Sequence, residues 1–297
     1  MKAPKFGAFF LLLSRLKNVI VKIGIQGIEG SFHDEAAASY FHQNDYEAVS
    51  FSGFRELAEC VHHGKIDYGV MAIENTIAGT ILPNYSLIHD YDLKVSGEVY
   101  SRIELSLIAH HGSKIDDIKH VYSHPMALLQ CAEFLSKYPH IEVSEHIDTA
   151  DGVRLIRDDK ILDAAAIASN RAATIFDLDV IQKNIETNKA NYTRFLITTK
   201  RDRNTESIKE KASLRLITGH HPGSLADVLV VFKDFDINLT KIQSIPIVGK
   251  PYQYAFNIDV EWKSYDAFSA AVNSLKQSTE LIKVLGEYKK GKLPKMS

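Results

Sequence analysis

Residues 200–211 read KRDRNTESIKEK, a run in which Ile208 is the sole apolar residue. Such a stretch is a solvated linker, and it divides the chain into two parts with different rhythms. Toward the N-terminus, short β-rich runs alternate with helical patterns. The predicted strands are VKIGIQ (21–26), YEAVSF (46–51), YGVMAI (68–73), LKVSGEVY (93–100), LSLIAH (105–110), KHVYS (119–123), AAIAS (165–169) and RFLITT (194–199). Between them, HDEAAASYFHQ (33–43), GFRELAECVHHG (53–64), MALLQCAEFLSKY (126–138) and TADGVRLIRD (149–158) repeat apolar residues every three or four positions. That spacing is a helix with one buried face. The alternation predicts an α/β architecture with helices covering the sheet faces.

Beyond the linker the order changes. SLRLITGH (213–220), PGSLADVLVVFKDF (222–235), INLTKIQSIPI (237–247), YQYAFNIDVEW (252–262), YDAFSAAVNSLKQS (265–278) and ELIKVLGEY (280–288) read strand, helix, strand, strand, helix, strand. This is the ferredoxin-like βαββαβ unit. The boundaries expected are therefore an N-terminal extension over 1–20, an α/β domain over 21–200, a linker over 201–211 and a βαββαβ domain over 212–297.

Composition narrows the function. With 35 Lys+Arg against 37 Asp+Glu, the formal net charge of −2 leaves no basic excess to neutralise a phosphate backbone, so no nucleic-acid partner is expected. Hydrophobic residues at 45% and charged residues at 24% are ordinary for a globular protein. Cys60 and Cys131 make neither a disulfide framework nor a CxxC metal site, which suits a reducing compartment. The apolar run Phe6–Leu13 is too short to span a membrane, and no small-residue cleavage site follows it. A cytoplasmic protein without a membrane partner is expected.

Several strand ends carry small polar residues: Gly27–Ser31, Glu74–Thr76, Ser123–Pro125 and Ala168–Asn170. Each taken alone reads as a helix cap. Together, at one sheet edge with helix N-termini converging, they suit a small anionic ligand. The Gly27–Gly30–Ser31 turn lacks the third glycine of a dinucleotide fingerprint, and no Gly-Lys-Ser/Thr, HExxH or GxSxG motif occurs. Neither a nucleotide cofactor nor a metal is expected. Thr193 and Arg194 sit at the mouth of an apolar strand, where a hydroxyl donor and a guanidinium fork suit an organic acid.

These blocks resemble the prephenate dehydratase family. NYTRFLITT (191–199) is similar to its Thr-Arg-Phe signature, with Asn184 in the matching block upstream, and GIEGSF (27–32) to its opening motif, with Ile28 in place of proline. YGVMAIENTIAG (68–79), SHPMALLQC (123–131) and AAIASNRAATIFDLDVIQKNI (165–185) follow in the family's order. The C-terminal unit resembles the ACT regulatory domain. The resemblance implies a two-lobed, periplasmic-binding-protein-like catalytic domain plus an ACT domain, and no metal or organic cofactor. It also implies conversion of prephenate to phenylpyruvate in phenylalanine biosynthesis. Thr193 is carried over as donor to the departing hydroxyl and Arg194 as clamp on a carboxylate. Asn75, Ser123, Gln130, Ser31 and Thr76 are carried over as substrate-binding groups. L-Phenylalanine is implied as effector at Gly223, Ser224 and Leu225 and at Gln243 and Ser244, where glutamine and Ile245 replace the charged residues of the usual Glu-Ser-Arg-Pro. A homodimer or homotetramer is implied as well. Arogenate dehydratase, and a non-catalytic sensor on the same fold, remain alternatives. No chorismate mutase segment is evident, which reads as a monofunctional enzyme.

Overall fold

The computed structural model describes residues 20–41, 46–201 and 208–293. Residues 1–19 of the predicted N-terminal extension, the end of the first helical pattern (42–43) and the middle of the linker (202–207) lie outside the described residues.

The chain begins with β1 (Val21–Gln26), α1 (Phe32–Phe41), β2 (Tyr46–Phe51), α2 (Phe54–His62), β3 (Tyr68–Asn75), β4 (Gly79–Thr80), α3 (Leu82–Asp90) and β5 (Lys94–Arg102). It then crosses into a second lobe: β6 (Ser106–Ala109), β7 (His120–Ser123), α4 (Pro125–Gln130), α5 (Ala132–Leu135), β8 (Glu142–Glu145), α6 (Thr149–Asp158), β9 (Ala164–Ala168), α7 (Asn170–Phe176) and β10 (Asp179–Gln182). It returns through β11 (Tyr192–Thr199), which inserts between β3 and β5, so the first sheet has the order β2-β1-β3-β11-β5, with β4 paired to β3. The second sheet runs β10-β6-β9-β7-β8. Because β11 arrives from the second lobe, it is antiparallel to both neighbours. The sheets are thus mixed rather than wholly parallel. The cleft lies where the chain passes twice between lobes, along Ile103–Leu105 and along residues 185–191, joined by Ile103 N–H to Asn191 O at 2.8 Å and Ile185 N–H to Leu105 O at 2.8 Å.

The third sheet is made of β12 (Lys211–Ile217), α8 (Ser224–Asp234), β13 (Asn238–Pro246), β14 (Tyr254–Glu261), α9 (Tyr265–Ser278) and β15 (Leu281–Tyr288), in strand order β13-β14-β12-β15. The βαββαβ expectation holds in every element, and α9 spans the predicted residues. Leu214, Leu216, Val228, Phe232, Ile258, Phe268 and Leu275 form its core beneath the two helices. Its other face docks on the first lobe: Ile245, Leu285 and Tyr288 join a cluster with Ile88, Leu93 and Val95. The approach is so close at β15 that a Cβ on Gly286 would stand 1.8 Å from the carbonyl oxygen of Val95.

Periodicity missed the short elements. β8 and β10 carry largely exposed or half-buried residues, so no alternation marks them. MALLQCAEFLSKY is two helices rather than one. The N–H of Cys131 is shared between the carbonyls of Ala127 and Leu128, tightening and ending α4 before α5 restarts.

Candidate functional site between the lobes

The antiparallel return of β11 decides which side chains meet. Along β11, Phe195 and Ile197 pack on the α1 side while Leu196 packs with α2 and α3. Alternation therefore turns Thr193 one way and Arg194 the other. On β3 the alternation is interrupted. Arg194 pairs with Glu74 and Phe195 with Ala72, leaving Ile73 as an unpaired extra residue. This bulge re-aims the end of β3, so that Asn75 faces the same side as its partner Thr193.

Asn75 is held in one orientation. Its Oδ1 accepts from the N–H groups of Ile77 at 2.9 Å and Ala78 at 2.8 Å, which leaves Nδ2 to donate to Thr193 Oγ1 at 3.0 Å and Asn191 Oδ1 at 2.7 Å. Asn191 in turn donates to Gln130 Oε1 at 3.0 Å, carrying the network onto the second lobe. A hydroxyl has one O–H and two lone pairs. With Asn75 donating into Thr193 Oγ1, the threonine's own proton points to no partner among the described residues.

Thr193, Asn75, Gln130 and Ser31 border one interlobe cavity of about 230 Å³, with Phe195, Ile103 and Leu105 forming much of its apolar wall. No lysine or arginine lines it among the described residues; its ionisable groups are His33, His124 and Asp148. His33 packs edge-on against Phe195, with ring centroids 5.0 Å apart, and its Nε2 has no partner. Burial holds its imidazole down at about 3, so it is neutral at ordinary pH. Burial pushes the Asp148 carboxyl up, opposed by N–H bonds from Ala150 and Ile28. Neither residue was singled out from the sequence; Asp148 is legible only as an N-cap before Thr149.

Asp148 also explains the first glycine of the Gly27–Ser31 turn. It caps α6 through Ala150 N–H at 3.0 Å and reaches across the cleft to Ile28 N–H at 3.3 Å. A Cβ on Gly27, whose φ is +91°, would stand 1.8 Å from Asp148 Oδ2. On the far side of the turn, Ser169 Oγ donates to Gly30 O at 2.8 Å and Arg171 pairs with Asp34 at 2.7 Å. The turn thus also docks the two lobes, and Ser31 caps α1 by accepting from Asp34 N–H.

Three expected site residues face elsewhere. Ser123 is fully buried and donates to Ile167 O at 2.5 Å, tying β7 to β9. Thr76 donates to Ala190 O and accepts from Tyr192 N–H, both at 2.9 Å, fastening the crossover. Arg194 does not reach the cleft at all. Its Nε donates to Glu98 Oε2 at 2.7 Å and its other nitrogens to Asp259 and to Tyr288 Oη, the latter at 3.3 Å. Both edges of the guanidinium are consumed, so no fork is left for a substrate carboxylate. Burial disfavours its charge, yet Asp259, Tyr288 and Glu98 raise its pKa far above the ordinary arginine value.

In the C-terminal domain, Ser224 and Leu225, after the left-handed turn at Gly223, line a separate cavity of about 440 Å³ with Thr218, Pro222, Tyr254 and Phe256. Gln243 and Ser244 lie on the edge strand β13 and do not line it, so one chain does not bring the two expected effector blocks into one cavity.

The family model for prephenate dehydratase matches residues 23–203. The bifunctional chorismate mutase/prephenate dehydratase of Aquifex aeolicus is 34% identical over 92% of this chain and 75% of its own length. The arogenate dehydratase/prephenate dehydratase 2 of Arabidopsis thaliana is 33% identical over 90% of this chain and 72% of its own. Among solved structures, the prephenate dehydratase of Arthrobacter aurescens in complex with L-Phe superposes with a TM-score of 0.80 at 24% identity, over 91% of this chain and 90% of that one. A quorum-quenching acylase, GqqA, superposes equally well, with a TM-score of 0.80 at 24% identity over 91% of this chain and 98% of its own. The fold alone therefore does not select the chemistry. The family match over most of the two-lobed unit, with Asn75 and Thr193 paired at its cleft, does: the chain belongs to the prephenate dehydratase family.

Proposed function

We propose that the interlobe cleft turns prephenate into phenylpyruvate, carbon dioxide and water. The observation that carries this reading is the Thr193 hydroxyl at the cavity wall, which accepts from Asn75 Nδ2 at 3.0 Å and so keeps its own proton available to donate to a ligand. In the reaction the bond from the ring to its carboxylate breaks and leaves its electron pair in the ring. The bond to the ring hydroxyl breaks at the opposite carbon, and aromaticity supplies the driving force. The departing oxygen gathers negative charge, and a fixed O–H aimed at it stabilises that charge more in the transition state than in the ground state. Threonine is too weak an acid to surrender its proton outright, so Thr193 acts as a hydrogen-bond donor and the proton that completes water comes from solvent. The apolar wall of Phe195, Ile103 and Leu105 keeps the surroundings of low polarity, which strengthens that bond. Gln130 orients the substrate from the second lobe, and Ser31 borders the same space. With no lysine or arginine lining the cavity among the described residues, neutral donors such as Gln130 meet the substrate carboxylates.

L-Phenylalanine acts as a feedback inhibitor at the C-terminal domain, read as an ACT domain whose edge strand β13 pairs between subunits of a homo-oligomer. The cavity beside Ser224 and Leu225 is one half of the effector site, and Gln243 and Ser244 of a neighbouring subunit supply the other. Arogenate is the second substrate to try, because the plant relative is named for both activities. The test is turnover of purified protein with prephenate and with arogenate, with and without L-phenylalanine, alongside Thr193→Ala. Prephenate turnover that falls on the order of 10²–10³-fold in Thr193→Ala supports the reading. Wild-type turnover retained by Thr193→Ala defeats it.

A further inference from the structure

Strands β3 and β11 carry two residue pairs back to back. In register, Asn75 lies opposite Thr193 and Glu74 opposite Arg194. The first pair faces the cleft. The second faces the C-terminal sheet, which grips each member: Lys241 of β13 donates to Glu74 at 2.6 Å, and Arg194 donates to Asp259 of β14. Neighbouring Cα atoms on a strand are only about 3.8 Å apart and joined by a planar peptide. A shift of the group on the back face therefore turns the strand and moves the group on the cleft face.

The grip on Arg194 is a buried charge network that continues outward from Lys211 to the partly exposed Glu261 at 3.5 Å. Glu98 accepts from Arg194 and, through Oε1, from Lys211 Nζ at 2.9 Å; Asp259 accepts from Arg194 and from Ser213 Oγ at 2.6 Å. Arg194, Lys211, Glu98 and Asp259 form its buried centre, each side chain at most 4% exposed. Such a set contributes little net stability over apolar packing, but its directional bonds define one relative placement of the two domains. The grip on Glu74 is shallower, with the Lys241 side chain 10% and the Glu74 side chain 42% exposed. Lys241 sits two residues before Gln243 on the edge strand, so any rearrangement of β13 reaches Glu74 directly.

We infer that Arg194 and Glu74 are positioning residues: the C-terminal sheet holds them through Asp259 and Lys241 and thereby sets the geometry of the Asn75–Thr193 pair. The inference rests on the proposed reaction for its kinetic readout, and it makes the C-terminal domain part of the catalytic geometry even without effector.

Asp259→Asn strips a buried charge and risks unfolding, so the shallower pair decides. Full-length Glu74→Gln and Lys241→Met are compared with wild type for kcat, KM and thermal midpoint. The expected result is a kcat lowered roughly tenfold or more with KM within about twofold, while the midpoint moves by no more than a few degrees. The reversed pair Glu74→Lys with Lys241→Glu recovers part of the loss. In an Asn75→Ala background, Glu74→Gln has no further effect on kcat, because the group it holds is gone. Unchanged kcat in both single variants, or losses that multiply with that of Asn75→Ala, overturns the inference. If wild type turns over neither prephenate nor arogenate, the reaction is misread, and the claim passes to the Thr193 methyl resonance. A shift of that resonance in Lys241→Met supports it, and an unmoved resonance overturns it.

Discussion

Two faces of one strand, a single residue apart, are built on opposite principles. On the cleft face, Thr193 is held by neutral hydrogen bonds through Asn75, Asn191 and Gln130, with apolar side chains beside it. On the back face, Arg194 is paired with the carboxylates of Glu98 and Asp259, bonded to the neutral Tyr288 hydroxyl and shut away from solvent. The neutral face keeps one donor free for a ligand, whereas on the charged face the Arg194 guanidinium is committed to protein partners along both edges. A group that must act on a substrate needs an unfilled valence; a group that must locate a domain needs all of its valences filled.

The largest expected effect tests that contrast directly. Arg194→Met leaves Glu98 and Asp259 buried with one cation fewer and should cost about 3–5 kcal/mol in urea unfolding, whereas Thr193→Val, one position away, should cost no more than about 1–2 kcal/mol. Equal losses would erase the distinction. Next comes activity: Thr193→Ser, which keeps the O–H, should stay within about tenfold of wild type in kcat, while Thr193→Val should match the loss of the alanine variant. Retention by valine would move the donor elsewhere.

Gly286→Ala probes the seam between the back face and the C-terminal domain. The added methyl meets the Val95 carbonyl, so a destabilisation of about 1–3 kcal/mol is expected by thermal or urea melting. A neutral result would mean that the two domains part easily.

On the cleft face, His33 supplies a pH signature. Its folded value of about 3 lies below the ordinary 6.5, so between those values the unfolded chain binds the extra proton. Stability contributed by neutral His33 is fully present above 6.5 and is lost progressively as pH falls toward 3. His33→Gln should flatten the stability profile relative to wild type between about pH 6.5 and 5, where carboxylates contribute least. Parallel profiles would refute the burial argument. The smallest effect is expected where the docking charge is exposed. Lys283 pairs with Asp92, whose side chain is 65% exposed, and Lys283→Met should change stability by less than about 1 kcal/mol.

Much of the architecture was legible. The polar run at 200–211 separated the two rhythms, and the βαββαβ order after it was read element by element. The first two helices of the first lobe and the strands around them were equally clear, because buried faces impose periodicity, whereas α3 and the two-residue β4 were not read. The edge strands β8 and β10 were not, since a strand with little buried face leaves no alternation to detect. Asn75, Gln130, Ser31 and Thr193 line one interlobe cavity. Ser123, Thr76 and Arg194 came from the same motifs yet serve packing, crossover and docking. Recurrence in a motif marks a residue as constrained without saying by what.

The sequence by itself determined most of the elements, their order, the family and the candidate chemistry, because propensity, periodicity and motif are local properties of the chain. Only the tertiary structure decided which face each motif residue serves. The bulge at Ile73 turns Asn75 toward Thr193, the antiparallel return of β11 sets Arg194 behind it, and the third sheet supplies Asp259 from 65 residues away. The direction a side chain takes depends on the register between strands distant in sequence, and register is set by packing rather than by neighbours along the chain.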